Sequence, residues 1–286
     1  MKFRKITALF MAAAIFSMAG LTGCSSQSGG QDSSSAGQSS QEDDSTGAGD
    51  LLSQIQARGE IIIAMEGTWA PWTYHSEDGE LVGFDVEVGQ QIAQALGVEA
   101  TFVEGEWDGL LAGLDAGRYD IMINGVDITE ERSDAYDFSE PYAYNRTAVI
   151  VSGENTDITS MENLEGKHTA NTISSTYAEV AEGYGAEVTG VDDLNQTFEL
   201  LLSGRIDATL NAEVTYYDYM EAHPDANIKI ACLNPEATEV AIPFRKGEET
   251  ASLREAVNQA LADMRESGVL AELSEKYFGT DITQPA

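Results

Sequence analysis

Cysteine, histidine and basic residues are scarce in this 286-residue chain, and each scarcity removes a class of function. Only Cys24 and Cys232 are present, too few for a disulfide scaffold, and a buried, inert side chain is the default for Cys232. The three histidines, His75, His168 and His223, fall in no metal-ligand spacing, so no metal site and no cofactor are expected. Lys and Arg total 15 against 49 Asp and Glu, a net charge of −34. Nucleic acid and anionic membrane are poor partners for such a surface, and most of this charge reads as a solubilising coat. Long apolar runs are missing too. The one at residues 6–20 falls short of the about 20 apolar residues that a spanning helix needs.

That run follows Lys2, Arg4 and Lys5 and reads as a secretory signal over residues 1–23. Leu21-Thr22-Gly23-Cys24 comes directly after it and resembles a bacterial lipobox. The resemblance implies that Cys24 becomes the lipidated first residue, so that the chain meets the membrane only through its N-terminal lipid. Cleavage there removes three cations and no acid, which deepens the negative charge. Residues 24–50 are nearly all Ser, Gly, Gln, Asp and Glu, without one aromatic ring. Such a stretch buries too little apolar area to offset its ordering entropy and reads as a flexible tether.

Beyond the tether, short apolar strands alternate with helix-period segments, the pattern of an α/β fold with largely parallel sheets. Ile61-Ile62-Ile63-Ala64 reads as a buried strand. Phe84, Val88, Ile92, Ala95 and Leu96 recur at helical spacing, and Gly97 stops the helix. Leu253, Val257, Leu261 and Met264 form a clear amphipathic stripe. One internal echo suggests two lobes. Gly117-Arg118-Tyr119-Asp120 through Asn124 matches Gly204-Arg205-Ile206-Asp207 through Asn211. In both, a helix ends on Gly, an Asp opens a strand and the strand exits at Asn. Because ligands of open α/β sheets sit beyond the carboxyl ends of the strands, Asn124 and Asn211 should approach a shared cleft.

Several longer motifs carry a resemblance. Glu66-Gly67-Thr68-Trp69-Ala70-Pro71-Trp72, Gly83-Phe84-Asp85-Val86, Asn124-Gly125-Val126-Asp127-Ile128-Thr129-Glu130-Glu131-Arg132 and Lys276-Tyr277-Phe278-Gly279 occur in order along the body. Together they resemble the polar amino-acid-binding proteins of ABC importers, extracellular solute-binding proteins of family 3. The resemblance implies a two-lobed, periplasmic-binding-protein-like α/β fold with two crossing hinge strands. Lobe one would comprise residues 51–144 and 239–286, and lobe two residues 145–238. It also implies a monomeric receptor facing outside the cytoplasm, with a free amino acid and ABC permease subunits as partners.

The same resemblance assigns the site. Arg132 matches the carboxylate-binding arginine, a role suited to the planar fork of a guanidinium. Thr176, after Ser174 and Ser175, falls where a backbone N–H meets the same carboxylate at a helix start. Relatives usually carry Gly where this chain has Ser174. The usual ammonium-binding acid of lobe two falls on Ala212, which cannot act. Asp127 therefore becomes the expected partner of the α-ammonium, with Glu213 as alternative, although strand alternation should turn Glu213 away. Trp69 and Trp107 match aromatic walls around the ligand side chain, and Gly125 and Thr172 complete the lining. Glu66 falls where some relatives read a distal ammonium. An acidic pocket favours Lys, Arg, ornithine or His, with cystine and glutamine as alternatives. An enzyme is the remote rival, because a dehydratase shares this fold; no added catalytic motif supports it.

Overall fold

In the computed structural model, which describes residues 49–285, the apolar run read as a strand is Glu60–Met65. It is the middle strand of a three-stranded parallel sheet, flanked by Glu99–Glu104 and Ile121–Met122. Ile61, Ile63 and Met65 are fully buried along it. The helix Phe84–Leu96 packs on this sheet and ends at Gly97, whose φ of 73° closes the last turn in the left-handed conformation that glycine tolerates best. The predicted stripe lies on the 20-residue helix Glu248–Ser267, with Leu253, Val257, Leu261 and Met264 all buried. The signal, Cys24 and the tether up to residue 48 lie outside the described residues.

The second lobe is a five-stranded sheet in the order Glu187–Val191, His168–Thr172, Ala208–Ala212, Thr147–Ser152, Ile228–Leu233. The first three strands run parallel, but Thr147–Ser152 is antiparallel to both of its neighbours. The expectation of largely parallel sheets therefore holds for the first lobe and only half of the second. Thr147–Ser152 enters directly from the strand Ala143–Asn145 of another sheet, with no helical crossover from a strand of its own sheet before it, so it stands outside the strand–helix–strand units that make the other three strands parallel. Its Ala148–Val151 core is fully buried, the pattern of a strand covered on both faces.

Ala143–Asn145 pairs antiparallel with Thr238–Val240, and these two strands form the crossing between the lobes. The repeated Gly–Asp motif has one shared structural meaning. Asp120 donates its N–H to the Ile62 carbonyl, and its carboxylate accepts the Ile62 N–H at 2.7 Å. Asp207 does the same to His168, at 2.8 and 2.9 Å. Each Asp thus grips one residue of the neighbouring strand by two bonds and ties its own strand to that neighbour. Cys232 is partly buried, its thiol 3.9 Å from the Met161 sulfur, and burial pushes its pKa up, away from the reactive thiolate.

Candidate functional site

The strand Glu60–Met65 delivers Glu66 to its carboxyl end, and Ile121–Met122 delivers Asn124 beside it. The two lock reciprocally: the Glu66 N–H donates to Asn124 Oδ1 at 2.7 Å, and Asn124 Nδ2 donates to Glu66 Oε2 at 2.8 Å. Burial raises the Glu66 pKa to about 7; the Asn124 hydrogen bond opposes this, while Asp193 and Asp108 add to it. Glu66 is therefore poised between its neutral and charged forms near neutral pH.

Gly125 follows, with φ 54° and its N–H donating to the buried Asp85 carboxylate at 2.6 Å. A Cβ here would lie 2.6 Å from the Trp69 ring, so only glycine lets the indole lie against this backbone. Trp69 stacks on Trp72 with centroids 5.2 Å apart, and its Nε1 donates across the cleft to Asn211 Oδ1 at 3.1 Å. Of the two echoed asparagines, Asn211 lines the cavity, whereas Asn124 is buried behind Glu66, which it orients.

Thr129 caps the short helix Glu130–Ala135 through its hydroxyl, which accepts the Arg132 N–H at 3.1 Å. This turn aims Arg132 inward, where it is only 6 % exposed. Its guanidinium donates to the carbonyls of Asp127 and Ser174, both at 3.1 Å, and sits 5.3 Å from the Trp107 ring centroid. Among the described residues, no carboxylate forms an ion pair with it. Glu130, Glu131 and Asp134, the surface partners that its sequence neighbourhood offers, do not engage it.

Asp127 is buried and accepts hydroxyl hydrogen bonds from Thr176, across the cleft, and from Thr238 of the crossing strand, the latter at 2.6 Å. Burial raises its pKa; both hydroxyls and Arg132 pull it back. Ser175 N-caps the helix Thr176–Gly183, its Oγ accepting the Ala178 N–H at 3.2 Å. Ser174 adopts φ 61°, the one non-glycine residue with positive φ among those described, at the position where the resemblance anticipates Gly. Its hydroxyl donates to Asp108 across the cleft at 2.8 Å, a bond glycine would lack.

Arg132, Asp127, Gly125, Thr176, Ser175, Trp69, Trp107, Glu66 and Thr172 all line one cavity. Glu213 does not. It opens the helix Glu213–Ala222 rather than continuing the strand, and it pairs with Arg146 at 2.5 Å in a separate groove. The strand-alternation argument is therefore corrected: the chain turns into a helix at Ala212, and that turn carries Glu213 away. The cavity also includes Asn171, Tyr177, Leu194 and Thr197, which the sequence left unmarked. Leu194 and Thr197 sit three apart on the helix Leu194–Leu202, a spacing that could have signalled a shared face.

The chain belongs to the bacterial extracellular solute-binding proteins, family 3, whose profile matches residues 61–280. It is 35% identical to the L-cystine-binding protein TcyA of Bacillus subtilis over 98% of this chain and 99% of that protein. It is 37% identical to the L-cystine-binding protein TcyJ of Escherichia coli strain K12 over 82% of this chain and 88% of that one. Its fold also matches an ancestral arginine-binding protein solved with arginine, at TM-score 0.73 and 34% identity, covering 78% of this chain and 99% of that one.

Proposed function

We propose that this protein is the amino-acid receptor of an ABC importer, held outside the cytoplasm by lipid on Cys24, and that its ligand is a polar L-amino acid with a second positively charged group. The observation that carries this reading is Arg132, buried with its guanidinium bonded only to carbonyl oxygens and facing the cavity that Asp127 and Glu66 share. A buried cation without an anionic partner is costly, and a ligand carboxylate would supply one. The Thr176 helix start adds unpaired N–H groups of the right sign. Asp127 would take the α-ammonium, and Glu66 the second cationic group.

L-cystine and the cationic amino acids share that chemistry. The two cystine-binding relatives support the first, and the arginine-bound fold neighbour supports the second. Binding without turnover is part of the proposal, and the family and the relatives named as binding proteins support it. Among the described residues, no helix is long and apolar enough to cross a membrane. Attachment through Cys24 rests on the lipobox-like run Leu21-Thr22-Gly23-Cys24.

Melting shifts against each common amino acid and L-cystine test the reading. A ligand present at about a hundred times its dissociation constant adds about 2.7 kcal/mol of stability. A shift confined to one chemical group of amino acids, lost in Arg132→Ala, with the ligand recovered unchanged, is the expected result. No shift with any of them would overturn it.

A further inference from the structure

Thr238 stands outside the set of residues that line the cavity, yet its hydroxyl lies 2.6 Å from Asp127 Oδ1. The same hydroxyl is 3.2 Å from the Asn145 carbonyl. It has one proton to give, and the shorter, charge-assisted bond to the carboxylate claims it. Thr238 pairs with Asn145 at one end of the crossing between the lobes. The main chain ties Asp127 to that same crossing strand. The Ile128 N–H donates to the Glu239 carbonyl at 2.8 Å, and the Ala241 N–H to the Val126 carbonyl at 3.0 Å. Asp127 and Val240 lie opposite one another between these bonds, in an antiparallel bridge. Asp127 is thus fastened to the crossing strand by both its backbone neighbours and its side chain. Its carbonyl in turn accepts from Arg132, so this one anchored residue helps to place both charged groups.

The two hydroxyls on Asp127 are not equivalent. Thr176 donates to Oδ2 from the helix Thr176–Gly183 of the second lobe, across the cleft, so opening of the cleft breaks that bond. Thr238 donates to Oδ1 from the strand to which the Asp127 segment is already zipped, and this bond does not depend on closure. We propose that Thr238 is a positioning residue for ligand capture: it holds the Asp127 carboxylate aimed into the cleft while the second lobe is away, so that the acid meets the ligand ammonium already oriented. A side chain fixed before binding loses no rotamer freedom when the ligand arrives, and that saving appears as affinity. Each Asp127 oxygen has two acceptor positions, so a hydroxyl on each still leaves room for an ammonium N–H. Thr238 acts through Asp127 and touches no ligand itself.

This inference rests on the amino-acid-receptor reading, and the experiment separates the two. Dissociation constants for L-cystine, L-arginine, L-lysine and L-ornithine are measured by calorimetry on the purified protein, on Thr238→Val and on Thr238→Ser. Valine keeps the branched shape and the strand backbone and removes only the hydroxyl; serine keeps the hydroxyl. Melting of each ligand-free variant is followed alongside. The expected result is that Thr238→Val weakens the tightest of the four ligands by roughly tenfold, the weight of one hydrogen bond to a charged group. Thr238→Ser should restore the constant to within about twofold, even where its melting point falls below that of Thr238→Val, because affinity follows the hydroxyl and not the packing of the strand. A dissociation constant unmoved in Thr238→Val, whatever its melting point, would overturn the inference and leave the receptor reading intact. So would a loss in Thr238→Val that serine does not restore. Failure of all four ligands to bind the unaltered protein would overturn both.

Discussion

The two faces of the cavity differ in kind. Glu66, Asp127 and Arg132, the charged side chains that line it, all come from the lobe built on Glu60–Met65. The lobe built on His168–Thr172 contributes Asn171, Thr172, Ser175, Thr176 and Asn211, all neutral. A neutral face can close over a charged one without taking a further charge out of water. The first lobe holds the charges and the second supplies neutral hydrogen-bonding groups opposite them. Four bonds cross the cleft in this way: Trp69 to Asn211, Ser174 to Asp108, Thr176 to Asp127, and Arg132 to the Ser174 carbonyl.

The sharpest test of this division removes a charge. Arg132→Ala should weaken ligand binding by about a hundredfold or more, since it strands the ligand carboxylate, as calorimetry would read. A loss of less than about tenfold would mean that the neutral lobe carries the anion. Next comes the ammonium partner. Asp127→Asn should cost roughly ten- to a hundredfold in affinity, whereas Glu213→Gln, whose partner Arg146 lies outside the cavity, should cost nothing measurable. The reverse pattern would move the ammonium site into the second lobe.

Behind the charged face, Asp85 gives the comparison a pH signature. It is fully buried, accepts from the Gly125 N–H and the Tyr142 hydroxyl, and burial lifts its pKa from 3.8 to about 7. Glu66 rises from 4.5 to about 7 for the same reason. In both cases the folded state holds the proton more tightly than the unfolded chain. Their contribution is therefore fully present below about pH 4 and is lost as pH rises through about 7. Asp85→Asn should flatten this slope and raise the stability at pH 8 by about 1–3 kcal/mol, measured by urea unfolding at a series of pH values. A slope unchanged in the variant would remove Asp85 from the account.

Smaller effects belong to the neutral latches. Trp69→Phe keeps a ring against Gly125 and Trp72 but loses the bond to Asn211. It should weaken binding by about twofold to tenfold, chiefly through faster release in stopped-flow measurements. Ser174→Ala loses the Asp108 bond and keeps the positive φ, so it should lower stability by up to about 1 kcal/mol. Ser174→Gly relieves the backbone as it loses the same bond and should melt close to the unaltered protein. A Gly variant melting well below the Ala variant would show that the Ser174 conformation carries no cost.

Much of this is legible in the sequence. Gly97 ends its helix where the apolar period stops, because a left-handed residue closes a helix and glycine adopts it without strain. The Gly–Asp echo points to Asn211, which lines the cavity, and to Asn124, which holds Glu66 from behind, since each Asp grips its neighbouring strand by the same pair of bonds. Asn171 gave no such signal. It sits in the short strand His168–Thr172 like any buried polar residue, and only the neighbouring Leu210 carbonyl decides which end of its amide is spent. The direction of Glu213 follows from the helix that begins there, because alternation along a strand says nothing once the strand has become a helix.

The sequence by itself determined the period of each element, its stops, the acidic balance and the order of the motifs, all properties of neighbours along the chain. Tertiary structure alone decided what lies across the cleft. Burial lifts Glu66 and Asp85 to the edge of neutrality, hydroxyls from Thr176 and Thr238 meet on Asp127, and Ser174, in a glycine-like conformation, donates to Asp108 across the cleft. The physical reason is range. Dihedral preference and periodicity act over a few residues, whereas desolvation and hydrogen-bond satisfaction depend on partners 40 to 142 positions away in the chain.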